Sequence, residues 1–102
     1  MLDKNEGNLL LDFYGSLLTD HQIEILDDYF KEDLSMNEIA ENNNISKAAV
    51  SDIINRALKQ LTEYENKLNL ISNNQKLDKI VDELNKAGDF TLANKINDII
   101  RR

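Results

Sequence analysis

The side chains that most often carry catalysis are sparse in this sequence of 102 residues. Cysteine is absent, which excludes a thiolate nucleophile, a thiolate metal site and a disulfide, and the only histidine is His21. One imidazole near Asp20 and Glu24 is more typical of a solvated helix start than of a metal site. The sequence holds neither a serine–histidine–acid pattern nor a phosphate-binding glycine loop. We therefore expect no enzymatic activity, no metal and no cofactor.

Polar residues suited to binding lie between residues 46 and 59. At helical spacing, lysine and arginine side chains on one face can contact phosphates, while serine and asparagine can hydrogen-bond to base edges. The candidate nucleic-acid-binding residues are Ser46, Lys47, Ser51, Asn55, Arg56 and Lys59. Asp52 lies on the same face and would repel a phosphate backbone. The alternative is that this face is simply the solvated exterior of a tri-helical packing unit.

Residues 34–57 have the spacing of a helix-turn-helix. Two helices that cross closely need a small side chain at the crossing, and Ala40 has that size. Four positions later Asn44 can adopt the left-handed conformation that a tight turn requires. Val50, together with Ile45 and either Ile53 or Ile54, would close the small core. This geometry directs the candidate face outward.

The elements that must position this motif are all predicted to be helical. Proline is absent and glycine occurs only three times, so nothing forbids long helices. Apolar spacing predicts a first helix from Asn5 to Leu18 and a second from Asp20 to about Lys31, which would bury Ile23, Leu26 and Phe30 with Ile25 at the flank. Thr19 with Gln22 and Ser35 with Glu38 have the spacing of capping boxes at the starts of the second and third helices.

A long fourth helix and two shorter helices complete the predicted all-α fold. The fourth helix would begin after Ser46 and end near residues 71–74, with an apolar seam that runs from Val50 to Leu68. Either intramolecular packing or association with a second subunit would cover that seam. Gly88-Asp89 separates the last two helices. We expect residues 1–70 to form the helix-turn-helix domain and residues 71–102 to form a helical pair that packs on it or extends it.

Charge is distributed unevenly along the chain, whose net charge is −7. Residues 1–45 carry eleven acidic and two basic side chains, whereas residues 46–102 are almost balanced. A strongly acidic protein is not typical of nucleic-acid binding, which favours basic surfaces. The cluster of Asp27, Asp28, Glu32 and Asp33 is either a solvated face or a surface for a basic partner.

The residues of the motif resemble a known family. The block Leu-Asp-Phe-Tyr-Gly-Ser-Leu-Leu-Thr at residues 11–19, Glu38-Ile-Ala-Glu, and residues 63–68 are similar to the YlxM family of helix-turn-helix proteins. The similarity covers roughly residues 8–70. It implies a fold like region 4 of sigma factors, a cytoplasmic location, dimerisation, and a regulatory role in the signal recognition particle pathway.

These observations together predict a nucleic-acid-binding regulatory protein with DNA as the first expected ligand and RNA as the second. The alternative is a protein-interaction module whose acidic half binds a basic component of the signal recognition particle pathway. No stretch approaches the ~20 apolar residues of a membrane span, and the N-terminus lacks the features of a signal peptide. We expect no membrane insertion.

Overall fold

A computed structural model describes residues 3–101, which form six α-helices and one 3₁₀ turn and contain no β-strand. The helices are α1 (Lys4–Tyr14), α2 (Asp20–Phe30), α3 (Met36–Asn43), α4 (Lys47–Leu68), α5 (Leu70–Lys86) and α6 (Phe90–Ile100). The turn, Gly15–Leu17, follows α1. The predicted all-α class, with a helix-turn-helix, a long fourth helix and two C-terminal helices, is confirmed.

Capping residues explain where the helices of the N-terminal half begin. Thr19 accepts a hydrogen bond from the Gln22 amide while the Gln22 side chain accepts one from the Thr19 amide. Ser35 and Glu38 form the same reciprocal pair at the start of α3. Each pair satisfies two amides that a helix N-terminus leaves without a partner. Both predicted capping boxes are present.

Two helix ends differ from the sequence-based expectation. The first helix stops at Tyr14 and not at Leu18, because the chain tightens into the 3₁₀ turn after it. The fourth helix stops at Leu68, since Asn69 adopts a left-handed backbone conformation with φ 56°. Residues 71–74, predicted as the break, are helical and belong to α5. Asparagine tolerates this conformation, so one residue redirects the chain without glycine.

The structure divides into two compact units, of which the first ends at Leu68 and the second begins at Asn69. In the first unit, α1 and α2 pack on α4 and on each other, and α3 packs on α2 and α4. The side chains of Ile25, Leu26, Ile39 and Ile54 are completely buried at the centre. Ile25, predicted to flank the core, lies inside it, while Ile23 is half-buried. Because α2 touches three other helices, its buried arc is wider than one apolar stripe.

The seam of α4 is covered from within the chain over most of its length. Val50, Ile54, Ala57 and Leu61 are completely buried, and α4 packs along α1 and α2. Further along, the ring of Tyr64 stacks on that of Tyr14 at 6.1 Å between centroids. Of the two alternatives for this seam, intramolecular packing therefore accounts for the residues up to Leu61.

The second unit is a helical hairpin of α5 and α6, which pack against each other. Gly88, with φ 81°, turns the chain between them, a conformation that glycine adopts at little cost. The Asp89 side chain then caps α6 by accepting a hydrogen bond from the Leu92 amide at 3.1 Å. The proposal that this pair packs on or extends the first domain stays a prediction.

Gly7 lies where α1 meets α2, and this contact yields a prediction on stability. A Cβ atom at Gly7 would come 2.2 Å from Cε1 of Phe30, whose ring is buried and has little room to move. We expect Gly7→Ala to destabilise the protein by about 1–3 kcal/mol through overpacking, although alanine is the better helix former. Urea unfolding followed by circular dichroism measures the change.

Gly15→Ala is the matched control, because a Cβ there would meet only the end of the flexible Leu11 side chain at 3.2 Å. Equal stability losses in the two variants would contradict the close approach at Gly7.

Candidate nucleic-acid interface

The turn between α3 and α4 is built around Asn44. Its backbone is left-handed, with φ 55° and ψ 41°. Its amide donates to the carbonyl of Glu41, and the next amide, of Ile45, donates to the carbonyl of Ala40 at 3.1 Å. These bonds satisfy carbonyl groups that the end of α3 would otherwise leave open. The predicted role of Asn44 as the turn residue is confirmed.

Ser46 starts the second helix of the motif. Its hydroxyl accepts a hydrogen bond from the Ala49 amide at 3.0 Å, and its carbonyl accepts one from the Val50 amide. Ser46 is therefore an N-cap, and its exposed position at the helix start is shared by Lys47. Behind the turn, α3 packs on α4, and Ala40 and Val50 are buried there. Of the two isoleucines proposed for this core, Ile54 is completely buried and Ile53 is half-buried.

Four of the candidate residues lie in one row on the outer side of α4. Lys47, Ser51, Asn55 and Lys59 are spaced four residues apart, so they form a continuous ridge on the helix surface. We call these four residues the Lys47 ridge. Ser51 is half-buried and the other three are exposed. The ridge spans about 18 Å, with a lysine at each end and two neutral hydrogen-bonding side chains between them.

The neighbouring row contains the candidate Arg56, which pairs with Asp52 on the same helix. The guanidinium Nε lies 3.1 Å from the Asp52 carboxylate, and both side chains are largely exposed. Spacing of four residues with the acid first is favourable on a helix. The pair cancels the formal charge of this row, so Arg56 offers less net attraction for a phosphate than an unpaired arginine.

The remaining cations near the motif differ in whether they are paired. The two basic residues of the acidic N-terminal part are both in ion pairs, Lys4 with Asp33 at 3.2 Å and Lys31 with Asp12 at 2.7 Å. The hydrogen bond that Lys31 donates to the Asp12 carboxylate raises the pKa of Lys31 above its ordinary value. Within the described residues, neither Lys47 nor Lys59 is in an ion pair. The Lys47 ridge therefore keeps its positive charge available.

A second charged feature is the predicted acidic cluster of Asp27, Asp28, Glu32 and Asp33, of which Asp33 pairs with Lys4. The acidic neighbours of Asp28 are Glu24, Glu32 and Asp27. Partial burial of Asp28 and the negative charges of its three neighbours raise the pKa of the Asp28 carboxyl above 3.8. Burial is the larger cause of this shift, and repulsion between the Asp28 carboxylate and its acidic neighbours adds to it. Among residues 3–101 no group of histidine, cysteine or acidic side chains is arranged to hold a metal ion.

Two polar contacts of α4 are absent from the predictions made from the sequence. The Asp52–Arg56 pair has an ordinary helical spacing and was legible from the sequence alone. Gln60 follows Arg56 in the neighbouring row and accepts a hydrogen bond from the Gln22 side chain at 2.9 Å. That contact joins the start of α2 to α4 across 38 residues, and no local pattern predicts it.

Comparison with known proteins identifies the family. The family described as "Putative helix-turn-helix protein, YlxM / p13 like" (UPF0122) matches residues 1–99. The chain belongs to this family. The resemblance in the sequence and the helix-turn-helix in the structure thus agree with the family match.

Relatives of the YlxM/p13-like family come from several bacteria and are named UPF0122 proteins. One from Malacoplasma penetrans is 50% identical over 69% of this chain and 65% of its own length. One from Desulforamulus reducens is 49% identical over 71% of this chain and 62% of its own length. One from Clostridium novyi is 40% identical over 96% of this chain and 86% of its own. The chain thus spans somewhat less than two thirds of the first two relatives.

No helix within residues 3–101 is both long enough and apolar enough to cross a lipid bilayer.

The acidic cluster yields a prediction on pH. Because the pKa of Asp28 is raised by folding, Asp28 favours the folded state most when it is protonated, and that contribution falls as pH rises from about 3.8 through the raised value. We expect Asp28→Asn to raise the melting temperature at pH 7 by a few degrees. The gain should disappear toward pH 3, where both proteins are neutral at this position.

Thermal unfolding between pH 3 and pH 7 measures this effect. Glu63→Gln, which removes an exposed carboxylate of α4 outside the cluster, controls for the change in net charge. A gain from Glu63→Gln as large as that from Asp28→Asn would show that net charge, and not the cluster, limits stability.

Proposed function

We propose that this protein binds nucleic acid through the Lys47 ridge and acts as a regulatory protein of the helix-turn-helix type. The ridge itself is the observation that carries the proposal. It lies on the second helix of the motif, which in helix-turn-helix proteins enters the major groove. Its end lysines suit two phosphates, and Ser51 and Asn55 between them suit base edges. Duplex DNA is the expected ligand, and RNA is the alternative that the binding experiment distinguishes.

The setting of this function is also part of the proposal. We infer a regulatory role in the signal recognition particle pathway, in the cytoplasm, from the resemblance of residues 8–70 to the YlxM family. A homodimer belongs to the same proposal, because helix-turn-helix dimers bind two half-sites of DNA. The seam of α4 does not supply its contact surface up to Leu61, since α1 and α2 cover it.

A salt series tests nucleic-acid binding. Affinity for a fluorescent DNA duplex and for a structured RNA hairpin is measured by anisotropy as the salt concentration rises. Each phosphate that the protein neutralises adds about 0.9 to the slope of log affinity against log salt on duplex DNA. We expect the combined variant Lys47→Ala, Arg56→Ala and Lys59→Ala to bind at least about tenfold more weakly and to show a shallower slope.

The matched control removes three exposed lysines outside the ridge: Lys67→Ala, Lys79→Ala and Lys86→Ala. Because both triple variants change the net charge equally, the control should keep most of the wild-type affinity and slope. If the two variants lose the same affinity, the Lys47 ridge is not the contact surface. Stronger binding to the RNA hairpin than to the duplex would assign RNA as the ligand.

Asp52 provides a test in the opposite direction. Asp52→Asn removes a negative charge beside the ridge and frees Arg56 from its ion pair. We expect affinity for the nucleic acid to rise about two- to fivefold, the size of effect typical of one exposed charge. Anisotropy at fixed salt measures the change, and Asp82→Asn, which removes an exposed carboxylate of α5, is the control for net charge. Weaker binding by Asp52→Asn would show that the Asp52 carboxylate itself makes a favourable contact.

The acidic cluster favours a second candidate function, in which the N-terminal half binds a basic protein component of the same pathway. The grouping of carboxylates around Asp28 is the observation behind it, and their negative charges, after the larger effect of burial, help to raise the pKa of the Asp28 carboxyl. A pull-down from native extract compares the wild type with the combined variant Asp27→Asn, Asp28→Asn and Glu32→Gln. Loss of a basic partner from this variant, with nucleic-acid affinity retained, would support the second function and contradict the first as the sole activity.

A further inference from the structure

The second unit exposes large apolar side chains in a pattern. Between residues 3 and 101, five of the large hydrophobic residues that are most exposed lie in α5 and α6: Leu70, Ile80, Phe90, Leu92 and Ile99. Ile99 has 71% of its surface exposed. Well-buried side chains are few in this hairpin, and Ala93 alone is completely buried. The apolar surface of the hairpin is therefore only partly used by the packing of α5 on α6.

Helical periodicity places most of this exposed apolar surface on one side of the hairpin. On α5, Leu77, Ile80 and Leu84 lie within an arc of about 60°, to one side of the buried Val81. On α6, Leu92, Ile96 and Ile99 lie within a similar arc, to one side of the buried Ala93. Because the two helices run in opposite directions, both arcs point to the same side. We call these six residues the hairpin face.

The small size of the second unit indicates that the hairpin face packs against another surface. Folding units of fewer than about 40 residues usually depend on disulfides, a metal or oligomerisation, and this unit comprises residues 69–102. The sequence has no cysteine, and the described residues offer no metal site. A helical pair that is apolar on one side is completed by another layer of helices. Of the usual devices, association with further helices remains, from the first unit or from another chain.

Charge identifies a second copy of this chain as the partner that fits. The charged residues that border the hairpin face are Lys76 and Glu83 beside the α5 arc and Lys95 beside the α6 arc. When two copies meet face to face about a two-fold axis parallel to the helices, α5 of one copy lies over α6 of the other. Glu83 of each copy then approaches Lys95 of the other at a similar height. The face is thus complementary to itself in charge as well as apolar.

We propose that the hairpin face is a homodimer interface in which α5 and α6 of two copies form an antiparallel four-helix bundle. The proposal deepens the homodimer of the proposed function by assigning its surface, and it does not depend on which ligand the Lys47 ridge binds. Adjacent helices in such a bundle would all be antiparallel, as in the up-and-down bundles that pack through continuous apolar stripes. Leu92, Ile96 and Ile99 would be buried between the layers.

Two substitutions on α6 test the interface in the full-length chain. Ile99→Lys places an ammonium group in the hairpin face, close to the C-terminal end of α6, where a positive charge suits the helix dipole. Phe90→Glu is the matched control, because Phe90 is 61% exposed but lies on the opposite side of α6, and a carboxylate suits the helix start. Both residues are largely exposed, so neither substitution removes core packing, and circular dichroism checks that both variants fold.

Sedimentation equilibrium from micromolar to submillimolar protein measures self-association. We expect the wild type and Phe90→Glu to form dimers with similar affinity. Ile99→Lys should dissociate at least about tenfold more readily, because each dimer would bury two unpaired charges. A monomeric wild type would overturn both the homodimer and its interface. A wild-type dimer that survives Ile99→Lys, or that Phe90→Glu weakens equally, would overturn the interface alone, and the anisotropy measurements of nucleic-acid binding stay independent of either result.

Discussion

The left-handed backbone conformation of Asn44 sets the direction in which the chain leaves α3, and the packing of the first unit depends on it. One left-handed residue ends α3 and lets α4 begin three positions later at Lys47. Because the reversal is so short, Ala40 and Val50 pack behind it, and the face of α4 that carries the Lys47 ridge is directed away from the core. A residue with a branched β-carbon at position 44 would strain this conformation. The outward position of the Lys47 ridge therefore depends on the backbone conformation of Asn44.

The basic side chains of the first unit differ in whether they form ion pairs. Lys4 and Lys31 lie beside carboxylates and stabilise the contacts among α1, α2 and the loop after α2. Arg56 is matched by Asp52. Lys47 and Lys59 have no such ion-pair partners in the described structure, and they stand at the two ends of one row. Three of the six lysine and arginine side chains of the first unit are thus in ion pairs, whereas Lys47 and Lys59 leave positive charge along the Lys47 ridge.

Sequence patterns predicted those features that depend on local geometry. The capping boxes at Thr19 and Ser35 and the turn at Asn44 follow from side chains that satisfy nearby backbone groups, and such groups lie close in sequence. The end of α4 was placed several residues too late, because Asn69 does not differ in type from asparagines that remain helical, such as Asn73. The burial of Ile25 and the close approach of Gly7 to Phe30 depend on which helices meet, and periodicity within one helix carries no such information.

The same limit applies to the candidate interface. Residue types and spacing were sufficient to select the outer face of α4 and to indicate the Asp52–Arg56 pair, but they could not show that Lys47 and Lys59 form no ion pair among the described residues. The orientation of long exposed side chains is set by competition among nearby partners, and each pairing contributes little energy. The six candidate residues remain a prediction at the level of individual contacts. Of these six, we most expect the four residues of the Lys47 ridge to contact nucleic acid.

The negative net charge of the protein and the positive charge of the Lys47 ridge together would affect how well the protein discriminates between nucleic-acid ligands. Charges separated from a ligand by more than about 8 Å are strongly screened at physiological salt, so the ridge acts locally while most of the acidic surface acts weakly. At close range, however, an orientation that turns the acidic residues 1–45 toward the ligand would bring carboxylates toward phosphates. Non-specific affinity, which depends on charge alone, is therefore low for a protein of net charge −7. Hydrogen bonds from Ser51 and Asn55 would then supply a larger share of the binding energy than in a basic helix-turn-helix protein, and discrimination between ligands would improve at the expense of overall affinity.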